Sequence, residues 1–347
     1  MNASKFSYGR QQPNPNLFVI LSACSSSLAK KNKVEGPLFP FMNSFCFRTS
    51  RLLSWLLILC FTLIYPISSH AQGRMDCAVL NSRILKQPVH YCVLLPDDYA
   101  ANLASHTPKP YPVLYFLHGL GQNEQALFKS GGWDLIEDLR QQEKISQYLI
   151  VAPDGKNSFF INSADGKVRY SDFFIHEFMP FVESKYIVRK GRTGRAITGL
   201  SMGGYGALRF AFAYPELFSA VSVQSAALMT ESPQELNSAL QSRNQLGRLM
   251  GSPFGDPINI PHWKQNDPFT LARTNKAAIG KLAIYFNCGK EDDFDFEVGA
   301  QALHRQLQSE GIKHEFHLYP GDHSPDYFLA HLGETLEFHS KAFALSK

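Results

Sequence analysis

The stretch that most constrains this chain is Arg195-Ala196-Ile197-Thr198-Gly199-Leu200-Ser201-Met202-Gly203-Gly204-Tyr205-Gly206-Ala207-Leu208. Residues 195–198 have the composition to end a buried strand, and Gly206 to Ala213 is Ala-rich and predicts a helix. Between them lies Gly199-x-Ser201-x-Gly203. A strand that becomes a helix within so few residues must turn sharply. That turn forces the serine into a strained conformation with its hydroxyl exposed, the geometry of a nucleophile elbow. The flanking glycines are required because a Cβ there would collide with the neighbouring strand and helix. The helix starts directly behind Ser201, so its free N–H groups and positive dipole end sit where an oxyanion would form.

The surrounding pattern supplies the context such an elbow needs. Asp76 to Leu85 and Val89 to Leu95 read as strands joined by Lys86-Gln87-Pro88. Val113 to Leu117, Tyr148 to Ala152, Ala220 to Val223 and Ala283 to Phe286 are short apolar runs, as expected of strands covered on both faces, and His314 to Leu318 is the last strand. Trp133 to Gln142, Asp172 to Tyr186, Glu297 to Ser309 and Ser324 to Phe343 read as helices, and residues 227–280 as an insertion over the sheet. Strands alternating with helices predict an α/β fold, a mostly parallel central sheet with helices on both faces, in one domain of roughly 73–347.

A serine hydroxyl needs a base to take its proton and an acid to orient that base. In this fold logic the acid follows the serine in the chain and the histidine follows the acid, each on a loop after a strand. The loop after Phe286 carries Glu291, Asp292, Asp293 and Asp295; the loop after Leu318 is Tyr319-Pro320-Gly321-Asp322-His323-Ser324. His323 is therefore the expected base. One of the four acids faces it, because adjacent side chains on an extended loop point in different directions. Asp293 remains the rival of Asp292 at this level. His314 and His317 lie within a strand run and read as packing or surface residues. His118 follows a strand but precedes the serine, which suits an oxyanion loop rather than a base. The two oxyanion donors are expected from the backbone N–H of Met202 and from the loop His118-Gly119-Leu120.

These motifs, His118-Gly119-Leu120, Gly199-Leu200-Ser201-Met202-Gly203-Gly204-Tyr205-Gly206-Ala207, Gly289-x-x-Asp292 and Gly321-Asp322-His323-Ser324, resemble the esterase D family of α/β-hydrolases. That group includes S-formylglutathione hydrolases, feruloyl and related carbohydrate esterases, and mycolyltransferases. The resemblance runs from about residue 77 to 345. It implies an α/β-hydrolase fold, Ser201 as nucleophile, Asp292 as acid and His323 as base, with Leu120 and Met202 as backbone oxyanion donors. It also implies a serine carboxylesterase acting on a small-molecule or carbohydrate-linked ester. No phosphate loop or dinucleotide fingerprint follows a strand and no Cys/His spacing reads as a metal site, so no cofactor and no metal are expected. Rival readings are an acyltransferase, an S-formylglutathione hydrolase-like thioesterase and an inactive esterase-like binding module.

The 347-residue chain carries a net charge of +4. Residues 1–71 hold seven basic residues, Lys5, Arg10, Lys30, Lys31, Lys33, Arg48 and Arg51, against Glu35 alone. That is +6, which leaves −2 for the remainder. The basic balance belongs to the leader, and no basic patch argues for nucleic acid. Arg48 and Arg51 precede the apolar run Leu52 to Tyr65, and Ser69-His70-Ala71 follows. This is the layout of a signal peptide of about residues 42–71, starting at Met42 and cut after Ala71, which implies a secreted or periplasmic protein. Retention of residues 52–67 as a membrane anchor is the alternative. Export permits a disulfide between Cys77 and Cys92, which lie on neighbouring strand-like runs; small buried residues are the other reading. Cys288 reads as a core strand residue.

Overall fold

The computed structural model describes residues 74–129, 131–241, 251 and 253–346. The leader therefore lies outside the described residues. The described residues fall in one compact unit. Eight strands form one sheet in the order β1-β2-β4-β3-β5-β6-β7-β8. They are β1 (Met75–Ser82), β2 (Gln87–Leu94), β3 (Val113–Leu117), β4 (Leu149–Pro153), β5 (Arg195–Leu200), β6 (Ala220–Gln224), β7 (Ala283–Gly289) and β8 (Glu315–Tyr319). β1 and β2 pair antiparallel, as do β2 and β4; all other pairs are parallel. This is the α/β-hydrolase arrangement expected from the alternation of elements.

The uninterrupted apolar runs are explained by burial on both faces. Side chains alternate along a strand. On β3, Val113, Tyr115 and Leu117 join the core on one face, and Leu114 and Phe116 join the core on the other. Helices α1 (Gly132–Gln141) and α6 (Leu332–Leu345) cover the second face through Ile136, Leu139, Leu336 and Phe343. Helices α2 (Met202–Ala213) and α4 (Phe296–Ser309) cover the first through Leu208, Phe212, Leu303 and Leu307. The segment Tyr170–Lys185 lies with them and includes a π-helical turn at Phe174–Phe178, which buries Phe174 and Phe178. Helices α3 (Pro233–Gln241) and α5 (Pro325–Ala330) flank the C-terminal end of the sheet.

Several boundaries differ from the sequence expectation. β1 stops at Ser82 rather than Leu85, because the backbone donors that follow are taken by side chains instead of a neighbouring strand. The N–H groups of Arg83 and Ile84 donate to Glu177 at 2.7 and 3.2 Å, and that of Leu85 donates to Ser82 Oγ at 2.9 Å. Gln87 and Pro88 belong to β2 instead of the connection, with Pro88 opposite Asn81. The missing N–H of Pro88 is tolerated because β4 pairs with β2 only from Tyr91 onward. The last helical region is broken at His331, whose ring stacks on Tyr319 with centroids 4.0 Å apart. Cys77 and Cys92 stand opposite each other on β1 and β2 and form a disulfide, while Cys288 is free and buried.

Candidate active site

Ser201 joins β5 to α2 as the helix N-cap, with φ 54° and ψ −120°. The expected strain is present: this left-handed backbone on a non-glycine residue is sparsely populated. The turn is possible only with glycine on both sides. A Cβ on Gly199 would stand 2.3 Å from Gly203 O, and one on Gly203 would stand 2.0 Å from Leu117 O. The helix begins at Met202, directly behind the serine as expected, so its free first-turn N–H groups start there.

The loops after β7 and β8 come together across the sheet end. His323 Nε2 lies 3.0 Å from Ser201 Oγ, and His323 Nδ1 lies 2.8 Å from Asp292 Oδ2. The Asp292 side chain is fully buried and that of His323 is 9% exposed. Asp292 Oδ1 accepts from the Phe294 N–H at 3.0 Å. Burial would raise the Asp292 carboxyl. Hydrogen bonds and charge from His323, together with the Phe294 N–H and the Ser225 hydroxyl, outweigh it and hold the group below the usual carboxylate value.

The neighbouring acids do a different job. Glu291 Oε2 accepts from the Gly321 N–H at 2.8 Å, and Asp293 Oδ2 accepts from the His323 N–H at 3.3 Å. They hold the backbone of the histidine loop rather than its imidazole. Asp295 adopts φ 58° at the start of α4 and lines the cavity. Of the four candidate acids, Asp292 alone meets the His323 ring.

Leu120 lies on the loop after β3, beside Ser201 at the same cavity. That loop is fixed by several contacts. His118 is 1% exposed; its Nδ1–H donates to Gly119 O at 2.8 Å, and its Nε2 accepts from the Gly155 N–H at 2.8 Å. The Gly119 N–H donates to Gln122 Oε1 at 2.9 Å, and the Gly121 N–H to Asn157 Oδ1 at 3.1 Å. Among the described residues, no acceptor meets the N–H of Leu120 or Met202. His314 pairs with His304 at 2.8 Å and His317 stacks on Tyr319, both away from this site.

Ser201 and His323 open onto a cavity of about 740 Å³. Phe159, Met229, Leu236, Phe294, Phe296 and Phe328 contribute its apolar wall, and Glu231, Glu235 and Asp295 its acidic members. The rings of Phe294, Phe296 and Phe328 all meet His323 edge-on, with centroids 4.9, 5.4 and 5.1 Å away. Residues 227–231 of the insertion, with Glu235 and Leu236, form one wall. Sequence reasoning did not single out these aromatics. The available signal was Phe294 and Phe296 alternating with Asp295 immediately after the acid.

Comparison with known proteins bears on the family and the fold. The family described as "Putative esterase" matches residues 82–339. An esterase of Mycobacterium tuberculosis is 30% identical over 257 residues, which cover 68% of this chain and 53% of that protein. The chain thus spans about half the length of that relative. The acetyl esterase of Caldicellulosiruptor saccharolyticus is 28% identical over 272 residues, covering 75% of this chain and 96% of the relative. A solved ferulic acid esterase superimposes with a TM-score of 0.65 at 25% identity, covering 78% of this chain and 99% of the other. The chain belongs to the putative esterase family and has the α/β-hydrolase fold.

Proposed function

We propose that this protein is a serine carboxylesterase that hydrolyses an acyl or aryl ester through an acyl-enzyme. Ser201 Oγ attacks the ester carbonyl while His323 Nε2 takes its proton. Asp292 keeps Nδ1–H of the imidazole in place and stabilises the imidazolium. The oxyanion is received by the N–H groups of Leu120 and Met202. The intermediate collapses, the C–O bond to the alcohol breaks, and His323 returns the proton to the leaving oxygen. Water then attacks the acyl-enzyme with His323 again as base, releasing the acid and restoring Ser201. The observation that carries this reading is the continuous chain Ser201–His323–Asp292, at 3.0 and 2.8 Å, opening on an apolar cavity. The aromatic wall suits an aryl group, in keeping with the relative named ferulic acid esterase. The arginine-flanked leader supports action after export.

A panel of nitrophenyl esters of increasing chain length, run beside feruloyl esters and glutathione thioesters, tests the reaction. Ser201→Ala is expected to abolish turnover with the fold retained, a loss on the order of 10⁶ in a serine protease. Fluorophosphonate labelling is expected to map to Ser201. Labelling that survives in Ser201→Ala refutes the assignment.

A further inference from the structure

In the sheet order, β6 stands between the strand that delivers the serine and the strand that delivers the acid. The tip of β6 touches both. The Ser201 N–H donates to Gln224 O at 3.0 Å, and the Ala227 N–H donates to Ser201 O at 3.0 Å. One residue on, the Ser225 N–H donates to Asn287 O at 2.8 Å. Ser225 is fully buried and holds φ 39°, a left-handed backbone on a non-glycine residue. Its Oγ lies 3.4 Å from Cys288 Sγ, and Cys288 Sγ lies 3.6 Å from Asp292 Oδ2. Burial first of all pushes the Cys288 thiol up to about 12, so the sulfur keeps its proton. That single proton serves one acceptor. A carboxylate is the stronger acceptor, so the thiol donates to Asp292, and the Ser225 hydroxyl, whose hydrogen bond helps to lower the Asp292 carboxyl, donates rather than accepts.

We propose that Ser225, with Cys288, is a positioning residue for the acid: the two side chains form the floor that keeps Asp292 Oδ2 turned toward His323 at a fixed span from Ser201. The inference rests on the triad reading above. A buried carboxylate with too few donors turns to find others, and a turned Asp292 no longer fixes the His323 ring. The strained backbone at Ser225 fits this role, because strain persists where the surrounding contacts over-determine it.

The test compares Ser225→Ala, Cys288→Ala and the double variant with Ser222→Ala, using nitrophenyl ester kinetics and thermal unfolding. Ser222 is an equally buried hydroxyl on the strand that leads into Ser225, but it bonds Thr198 and His339 at 2.7 Å each, away from the acid. Ser225→Ala is expected to lower kcat about tenfold with KM within about twofold, the pattern of an interaction felt in the transition state. Cys288→Ala is expected to lower kcat a few-fold. The double variant should lose less than the product of the two, because both act on one carboxylate. Ser222→Ala should lower the melting temperature and leave kcat alone. An unchanged kcat in Ser225→Ala, or an equal loss of kcat in Ser222→Ala, overturns the proposal. If Ser225→Ala does not fold, Cys288→Ala decides: lower kcat at constant KM supports the role, and unchanged kcat overturns it. A dead Ser201→Ala beside a fully active Ser225→Ala sinks this inference alone. An active Ser201→Ala sinks the triad and this inference with it.

Discussion

Asp292→Asn changes one atom, and the structure dictates what that atom does. Oδ1 of Asp292 accepts from the Phe294 N–H at 3.0 Å, so the oxygen of the new amide must occupy that place. The NH2 group is then forced into the position of Oδ2, 2.8 Å from His323 Nδ1. It donates where the carboxylate accepted. The imidazole answers by moving its proton to Nε2, which then faces Ser201 Oγ as a donor and cannot take the serine proton. The same change in a serine protease, with the same tautomer error, lowers turnover about 10⁴-fold. That is roughly 5.4 kcal/mol at 1.36 kcal/mol per factor of ten. Asp293→Asn is the matched control. Its bond to the His323 N–H is 3.3 Å long and exposed, and an amide oxygen still accepts there. The expected loss is less than about tenfold. Both variants are assayed for kcat on a nitrophenyl ester at saturating substrate, with circular dichroism to check the fold. A mild Asp292→Asn beside a crippling Asp293→Asn would refute the tautomer argument and shift the acid by one residue.

Three further outcomes are expected. Replacing both Cys77 and Cys92 with Ser removes a crosslink spanning 15 residues and should lower stability by at most about 3 kcal/mol, seen in urea unfolding; kcat should not change, because β1 lies at the opposite sheet edge from β8. Burial pushes the His339 imidazole down to about 3 from 6.5. With the folded value depressed, the unfolded chain binds more protons below pH 6.5, so this stability is present above that value and is lost as pH falls toward 3. From pH 7 to pH 5 the loss is about 2 kcal/mol, and His339→Gln should flatten that slope; an unchanged slope counts against it. Expressed from Met42 in a bacterium, the protein is expected outside the cytoplasm with its N-terminus near Gln72, checked by N-terminal sequencing; a full-length cytosolic product contradicts export.

The elbow was legible because its physics is local. Gly199 and Gly203 are needed where a Cβ would strike backbone within a few residues or on the adjoining strand, and the strained Ser201 follows from joining strand to helix in one turn. The uninterrupted apolar runs announced strands covered on both faces. The order of serine, acid and histidine, each on a loop after a strand, pointed to the two loops that meet Ser201. What the sequence could not supply was the direction of side chains on those loops. Glu291, Asp292, Asp293 and Asp295 are chemically interchangeable in a string; only the docking of the β8 loop sends two of them to backbone N–H groups and Asp292 to the imidazole. The same docking brings Phe294, Phe296 and Phe328 against His323, although Phe328 comes from a helix beyond the histidine. Ser225 carries no motif at all. Its place between Ser201 and Asp292 exists because β6 is inserted between β5 and β7, and strand order is decided by long-range pairing rather than by the residues of any one strand.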